Sequence, residues 1–161
     1  MRDKQTDLML QTRTITRNDK IDELVTQINE ARWDNANDMC AYDAPSLKAY
    51  LAHPDTLFIA CYDIADEGAT LMGIASSRLE LKPYGGERWL YVDEVDVCAD
   101  QRCRGAGKQI MQHLIEIARE QGCEELWLGT EVDNTAANAL YKSLGPDEIE
   151  HFIGYTFETD E

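Results

Sequence analysis

From Asp100 to Gly122 the chain reads DQRCRGAGKQIMQHLIEIAREQG. A loop with two arginines, two glycines and a lysine runs straight into a stripe of Ile110, Met111, Leu114, Ile115 and Ala118 at helical spacing, ended by Gly122. The run before it, Arg88 to Val97, reads as a strand, so the loop is a strand-to-helix joint. The first turn of a helix leaves backbone N–H groups unpaired at the positive end of the macrodipole. Gly105 and Gly107 let the backbone curl and let a ligand approach without a Cβ in the way. Arg102, Arg104 and Lys108 bring formal charge to the same place. The combination predicts a phosphate or pyrophosphate site. It is not a P-loop, because Gln109 follows Lys108 where Ser or Thr is required. Nor is it a dinucleotide fingerprint, because Ile110 stands where the third small residue belongs.

The other elements follow from periodicity. Leu8 to Ile15 predicts a strand. Ile21, Leu24, Val25 and Ile28 mark one face of a helix, with Asn18 or Asp19 as its cap. APSLKAYLAHP predicts a short helix started at Ser46 and stopped at Pro54. Thr56 to Asp63, Thr70 to Leu81 and Arg88 to Val97 predict strands, the last two joined at Gly85-Gly86. After the helix over Gln109 to Glu120, EELWLGTEV predicts a strand, Thr135 to Leu144 a helix, and His151 to Phe157 a last strand. The order β-α-α-β-β-β-α-β-α-β predicts an α/β fold, a mixed sheet with helices on both faces. At 161 residues the chain suits a single domain over 1–161.

The formal net charge of −16 argues against nucleic acid and acidic membranes as partners, since the summed field repels phosphates. A cationic substrate, or solubility alone, explains the same excess. No run approaches the roughly 20 apolar residues of a membrane span, and the N-terminus lacks a secretory pattern. The expectation is a cytoplasmic protein. The five cysteines, Cys40, Cys61, Cys98, Cys103 and Cys123, form no CxxC pair, so neither a disulfide framework nor a metal site is expected.

One helix and one strand beyond the Arg102-x-x-Gly105-x-Gly107 loop, NTAANALY places Asn134, Ala137, Leu140 and Tyr141 in a second pattern. With both motifs in this order, the chain resembles the GCN5-related N-acetyltransferase (GNAT) family from Leu8 to Phe157. The resemblance implies acetyl-coenzyme A as co-substrate and a sheet splayed between its fourth and fifth strands. The pyrophosphate would sit on the loop from Arg102 through Cys103, Arg104, Gly105, Ala106 and Gly107 to Lys108, with Cys103 contributing only backbone. The pantetheine arm would pair with the backbone of Val95 and Val97, and Asn134 would help shape the cleft. The family usually has Gly-Phe after the last helix, whereas this chain has Gly145-Pro146-Asp147.

An amine resembling the lysine side chain has a pKa of about 10.4, so its nucleophilic form costs about 4–5 kcal/mol at neutral pH. A carboxylate at the acetyl end of the cleft therefore helps. YVDEVDV offers Asp93, Glu94 and Asp96, and strand alternation places Glu94 and Asp96 on one face, with Asp93, Val95 and Val97 on the other. By the resemblance, Glu94 is the general base or ammonium anchor, with Asp96 and Asp93 as substrate-side acids. Tyr141 is the general acid for the departing thiolate. The backbone N–H of Val95 is the expected oxyanion donor. His151 lies nearest the expected cleft among the histidines. Cys98 has no nearby histidine to activate it, which favours direct transfer in a ternary complex.

Within the family the chain looks most like the small aminoglycoside 3-N-acetyltransferases (gentamicin type), through LKAYLAHPDTLFIACYD, LELKPYGGERWLYVDEVDV, ALYKSLG and EIEHF. The acidic clusters RWDNANDMCAYD, DEVD and PDEIE suit a polyammonium acceptor. A polyamine, another small amine or a protein α-amine fits as well, and a non-catalytic acetyl-coenzyme A sensor is the reading of another class. Members of the family are often homodimers, which sets the expectation here.

Overall fold

The computed structural model describes residues 9–33, 39–65, 67–99 and 105–160. The chain divides into two compact units, Met1–Gly129 and Thr130–Glu161.

The first unit is built on five strands in sheet order β1-β2-β3-β4-β5: Leu10–Ile15, Thr56–Asp63, Thr70–Leu81, Arg88–Val97 and Glu125–Trp127. The first four are antiparallel to their neighbours, and β5 runs parallel to β4. Three helices accompany them: α1 over Ile21–Glu30, α2 over Ala44–Ala52 and α3 over Ala106–Glu120. Ile74 of β3 and Phe58 and Ala60 of β2 share a core cluster with Ile21, Leu24 and Ile28 of α1 and Leu47 of α2. Gly73, one residue from Ile74 and so facing the other way, lies beneath Ile110 of α3. Helices thus cover both faces.

The helix starts differ from the sequence expectation in instructive ways. Neither Asn18 nor Asp19 caps α1, whose N-cap is Lys20 with no side-chain cap bond. Asp19 instead accepts from the Thr16 N–H at 2.7 Å and pairs with Arg13. Asp43 caps α2 by accepting from the Ser46 N–H at 2.8 Å, so that helix begins before Ser46. Gly105 precedes α3 at φ +91°, a left-handed conformation natural to glycine, and the helix starts at Ala106 rather than Gln109.

Two features of β4 decide the site. Its pairing with β5 covers only Trp89, Tyr91 and the residue between them. From Val92 to Val97 that side of β4 has no partner strand among the described residues, which is the splay. The pairing of β4 with β3 also slips, since Ser77 faces Val92 but Ser76 faces Glu94. Asp93 is therefore the extra residue of a β-bulge.

In the second unit, α4 spans Thr135–Ser143. The strand expected over His151 to Phe157 does not form, and residues 148–160 carry no regular structure. A strand needs a neighbour to complete its hydrogen-bond ladder, and among the described residues of this unit α4 is the only regular element. Ile149, Ile153, Tyr155 and Phe157 stand largely exposed.

Candidate active site

The bulge overturns simple alternation along YVDEVDV. Tyr91 faces Arg78, Glu94 faces Ser76 and Asp96 faces Ile74, all on the α1/α2 side. The extra residue at Asp93 brings its side chain to that side too. Asp93 and Glu94 both line a pocket of about 480 Å³ with Tyr42, Tyr50, Phe58 and Ser76. Asp93 thus belongs with Glu94 and Asp96 rather than with Val95 and Val97. The two valines face Ala75 and Gly73, on the α3 side.

The acids are not equivalent. Arg78 reaches Asp93 at 3.2 Å and Glu80 at 2.7 Å, and its guanidinium lies 5.4 Å from the centre of the Tyr91 ring. Burial raises the Asp93 pKa, Arg78 pulls it back and Glu80 pushes it further, leaving it above the ordinary aspartate value. The Glu94 carboxylate has no hydrogen bond or ion pair among the described residues. Facing it, burial first and then the Glu94 and Asp96 charges push the Tyr42 hydroxyl up to about 12, so it stays a neutral phenol.

Tyr42, Tyr50 and Arg78 escaped the sequence reading. Tyr42 falls within the acidic run RWDNANDMCAYD and was legible only as part of its charge. Tyr50 has its hydroxyl 2.8 Å from the Ser77 carbonyl oxygen and 3.0 Å from that of Leu57, which anchors α2 to the sheet. Its ring and that of Tyr42 both meet Phe58 edge-on.

At the other end of the cleft, Arg102, Cys103 and Arg104 lie outside the described residues. Gly105, Ala106, Gly107 and Lys108 form the entry and first turn of α3, with Ala106 and Gly107 buried and Lys108 exposed. The Gln109 N–H makes the first intrahelical bond, to the Gly105 oxygen at 3.0 Å. The amides of Ala106, Gly107 and Lys108 therefore have no acceptor within the helix. A Cβ at Gly105 would meet nothing nearer than 3.9 Å, so conformation rather than space selects glycine there. A helix start with three amides lacking helical acceptors, and a stretch of β4 with no partner on its β5 side among the described residues, would suit a pyrophosphate joined to an amide-bearing arm.

In the second unit the Asn134 side chain accepts from the Ala137 N–H at 3.1 Å, making it the N-cap of α4. Tyr141 lies half-buried on the same helix. His151 is exposed in the segment without regular structure. Among the described residues no helix is long and apolar enough to cross a membrane.

Comparison with known proteins agrees with this architecture. The model of the acetyltransferase (GNAT) family matches residues 22–145, running through both units. The L-methionine sulfoximine/L-methionine sulfone acetyltransferase of Pseudomonas paraeruginosa is 31% identical over 128 residues, spanning 80% of this chain and 69% of that protein. The ribosomal protein bS18-alanine N-acetyltransferase of Escherichia coli is 39% identical over 66 residues, 41% of this chain and 45% of that one. The crystal structure of an aminoglycoside acetyltransferase from an uncultured soil metagenomic sample, in complex with sisomicin, superposes with a TM-score of 0.79. It covers 94% of this chain and 97% of its own at 15% identity, a likeness of fold alone. The chain belongs to the GNAT family of acetyltransferases, whose co-substrate is acetyl-coenzyme A.

Proposed function

We propose that the protein acetylates an amino group of a cationic small molecule, with an aminoglycoside, at its 3-amino group, as the leading acceptor. The observation that carries this reading is Glu94, a pocket carboxylate with no hydrogen-bond or ion-pair partner among the described residues, beside an Asp93 already held by Arg78. An ammonium group supplies the missing partner. Among the described residues the pocket lining carries Asp43, Asp93 and Glu94 and no basic side chain. An amino-acid acceptor such as methionine sulfoximine brings a carboxylate that this lining would repel, whereas a polyammonium sugar brings only cations. The similarity to the methionine sulfoximine enzyme favours the small-amine reading, and that to the bS18 enzyme a protein α-amine. The lining charge ranks both below the polycation.

Bound acetyl-coenzyme A supplies the activated acetyl thioester. The amides of Gly105 to Lys108, with Arg102, Cys103 and Arg104 upstream, would hold the pyrophosphate, and the backbone of Val95 and Val97 the pantetheine arm. Glu94 takes a proton from the acceptor ammonium at its carboxylate, directly or through water, and frees the nitrogen lone pair. Asp93 and Asp96 hold further positive charge on the same face. The Tyr141 hydroxyl gives its proton to the departing sulfur. We take residues 1–161 as one catalytic domain, because the family match runs through both units.

The test follows free coenzyme A thiol with gentamicin, kanamycin, spermidine, methionine sulfoximine and an alanine-initiated peptide. Gentamicin and kanamycin should give the highest kcat/KM, with 3-N-acetyl product by NMR. Turnover confined to methionine sulfoximine or the peptide overturns the acceptor, and tight acetyl-coenzyme A binding without turnover of any amine overturns the enzyme in favour of a sensor.

A further inference from the structure

Two tyrosines pack edge-on against the same buried ring, Phe58, with Tyr42 at 6.1 Å and Tyr50 at 6.4 Å between ring centres. Their hydroxyls meet different fates. That of Tyr50 is taken up by the Leu57 and Ser77 carbonyls of the sheet. That of Tyr42 has no hydrogen-bond partner among the described residues, in a pocket it shares with Glu94. The backbone of Tyr42, in contrast, is doubly held. Its N–H donates to Asn29 Oδ1 at 2.9 Å and its carbonyl accepts from Asn29 Nδ2 at 2.8 Å. One amide side chain at the end of α1 thus fixes both polar groups of a residue that precedes α2. Such a clamp sets where the ring stands, and its hydroxyl, without a partner among the described residues, is left for whatever enters the pocket.

We infer that Tyr42, held by Asn29, is a specificity-determining residue whose hydroxyl and the Glu94 carboxylate together seat the acceptor's ammonium group. The inference rests on the acceptor being an amine, as proposed above. The carboxylate supplies charge and the neutral phenol supplies direction, accepting one N–H of the ammonium. A primary or secondary ammonium offers that N–H. A quaternary ammonium does not. Asn29 is a positioning residue that acts through Tyr42.

Cys40, exposed and lining the same pocket, is a reporter independent of turnover. Gentamicin is the probe, and alkylation of Cys40 by iodoacetamide is followed by peptide mass mapping. In the wild-type protein gentamicin should slow that alkylation, and tetramethylammonium at equal concentration should not. Y42F keeps the ring on Phe58 and loses only the hydroxyl. In Y42F and N29A the gentamicin concentration giving half-protection should rise about tenfold, matching the loss of one hydrogen bond to a charged group. The acceptor KM should rise more than kcat falls, with the KM for acetyl-coenzyme A unmoved. N29D, which keeps the acceptor for the Tyr42 N–H, should fall between N29A and wild type. Gentamicin failing to protect Cys40 in the wild type, or protecting Y42F and N29A equally well, overturns the inference. Protection without acetylation instead overturns the proposed function and leaves Tyr42 as a binding residue.

Discussion

Arg78 holds the Asp93 carboxylate at 3.2 Å, while that of Glu94, next in the chain and on the same face through the β4 bulge, has no hydrogen-bond or ion-pair partner among the described residues. Removing charge from the two neighbours should therefore have unequal results. Glu94→Gln should lower kcat/KM for the amine by about 10²–10⁴, the usual contribution of a general base. Asp93→Asn should cost less, because its charge is already shared with Arg78. Thiol release at saturating acetyl-coenzyme A measures both, and the opposite ranking would transfer the base role to Asp93.

How much of this was legible beforehand depends on whether a signal is local. The stripe of Ile110, Met111, Leu114 and Ala118 announced α3, and the glycines announced the tight turn at its start. The bulge at Asp93 was not legible, because DEVDV alternates equally well with or without an extra residue, and only pairing with Ser76 and Ser77 reveals the slip. Tyr42 and Asn29 were missed for the same reason: their relationship is a contact between an α1 terminus and a loop, with no period to betray it. The final strand was over-read from His151, Ile153, Tyr155 and Phe157, whose alternation describes an extended segment but supplies no partner for it.

Gly105→Ala tests the helix entry. At φ +91° an alanine Cβ is strained, and the substitution should cost about 1–2 kcal/mol or shift the turn. Because the amides of Ala106 to Lys108 are aimed by that turn, acetyl-coenzyme A should bind about tenfold more weakly by calorimetry. Unchanged affinity would remove this turn from the pyrophosphate site.

Gly73→Ala tests the splayed edge from beneath. An added Cβ would stand 2.9 Å from the Asp96 carbonyl oxygen and 2.9 Å from Ile110 Cδ1. The isoleucine end can turn away, but the carbonyl belongs to β4 between Val95 and Val97, so the strand itself must move. The expected cost is about 1–3 kcal/mol in urea unfolding, as for overpacked cores. A raised KM for acetyl-coenzyme A should accompany it. Adding Ile110→Val should restore part of the stability and none of the KM.

Two aspartates give opposite pH signatures. Burial would raise the Asp19 pKa, but the Thr16 N–H, Arg13 and the Thr16 hydroxyl together outweigh it and hold the carboxyl below its ordinary 3.8. A depressed carboxyl contributes stability above the unfolded pKa that is lost as pH falls through the folded one. Asp19→Asn should thus lower the urea midpoint at pH 7 and have progressively less effect below pH about 3.8. Asp93 is shifted the other way, chiefly by burial. Its protonated form is favoured by folding, so that contribution is present below the unfolded value and lost as pH rises through the folded one. Asp93→Asn, which cannot ionise, should gain on the wild type as pH rises above the ordinary aspartate value of 3.8. Urea midpoints of both variants on either side of that value decide the matter. An Asp93→Asn protein that loses ground with rising pH would mean that Arg78 dominates burial, and that Asp93 is the depressed carboxylate of a true ion pair.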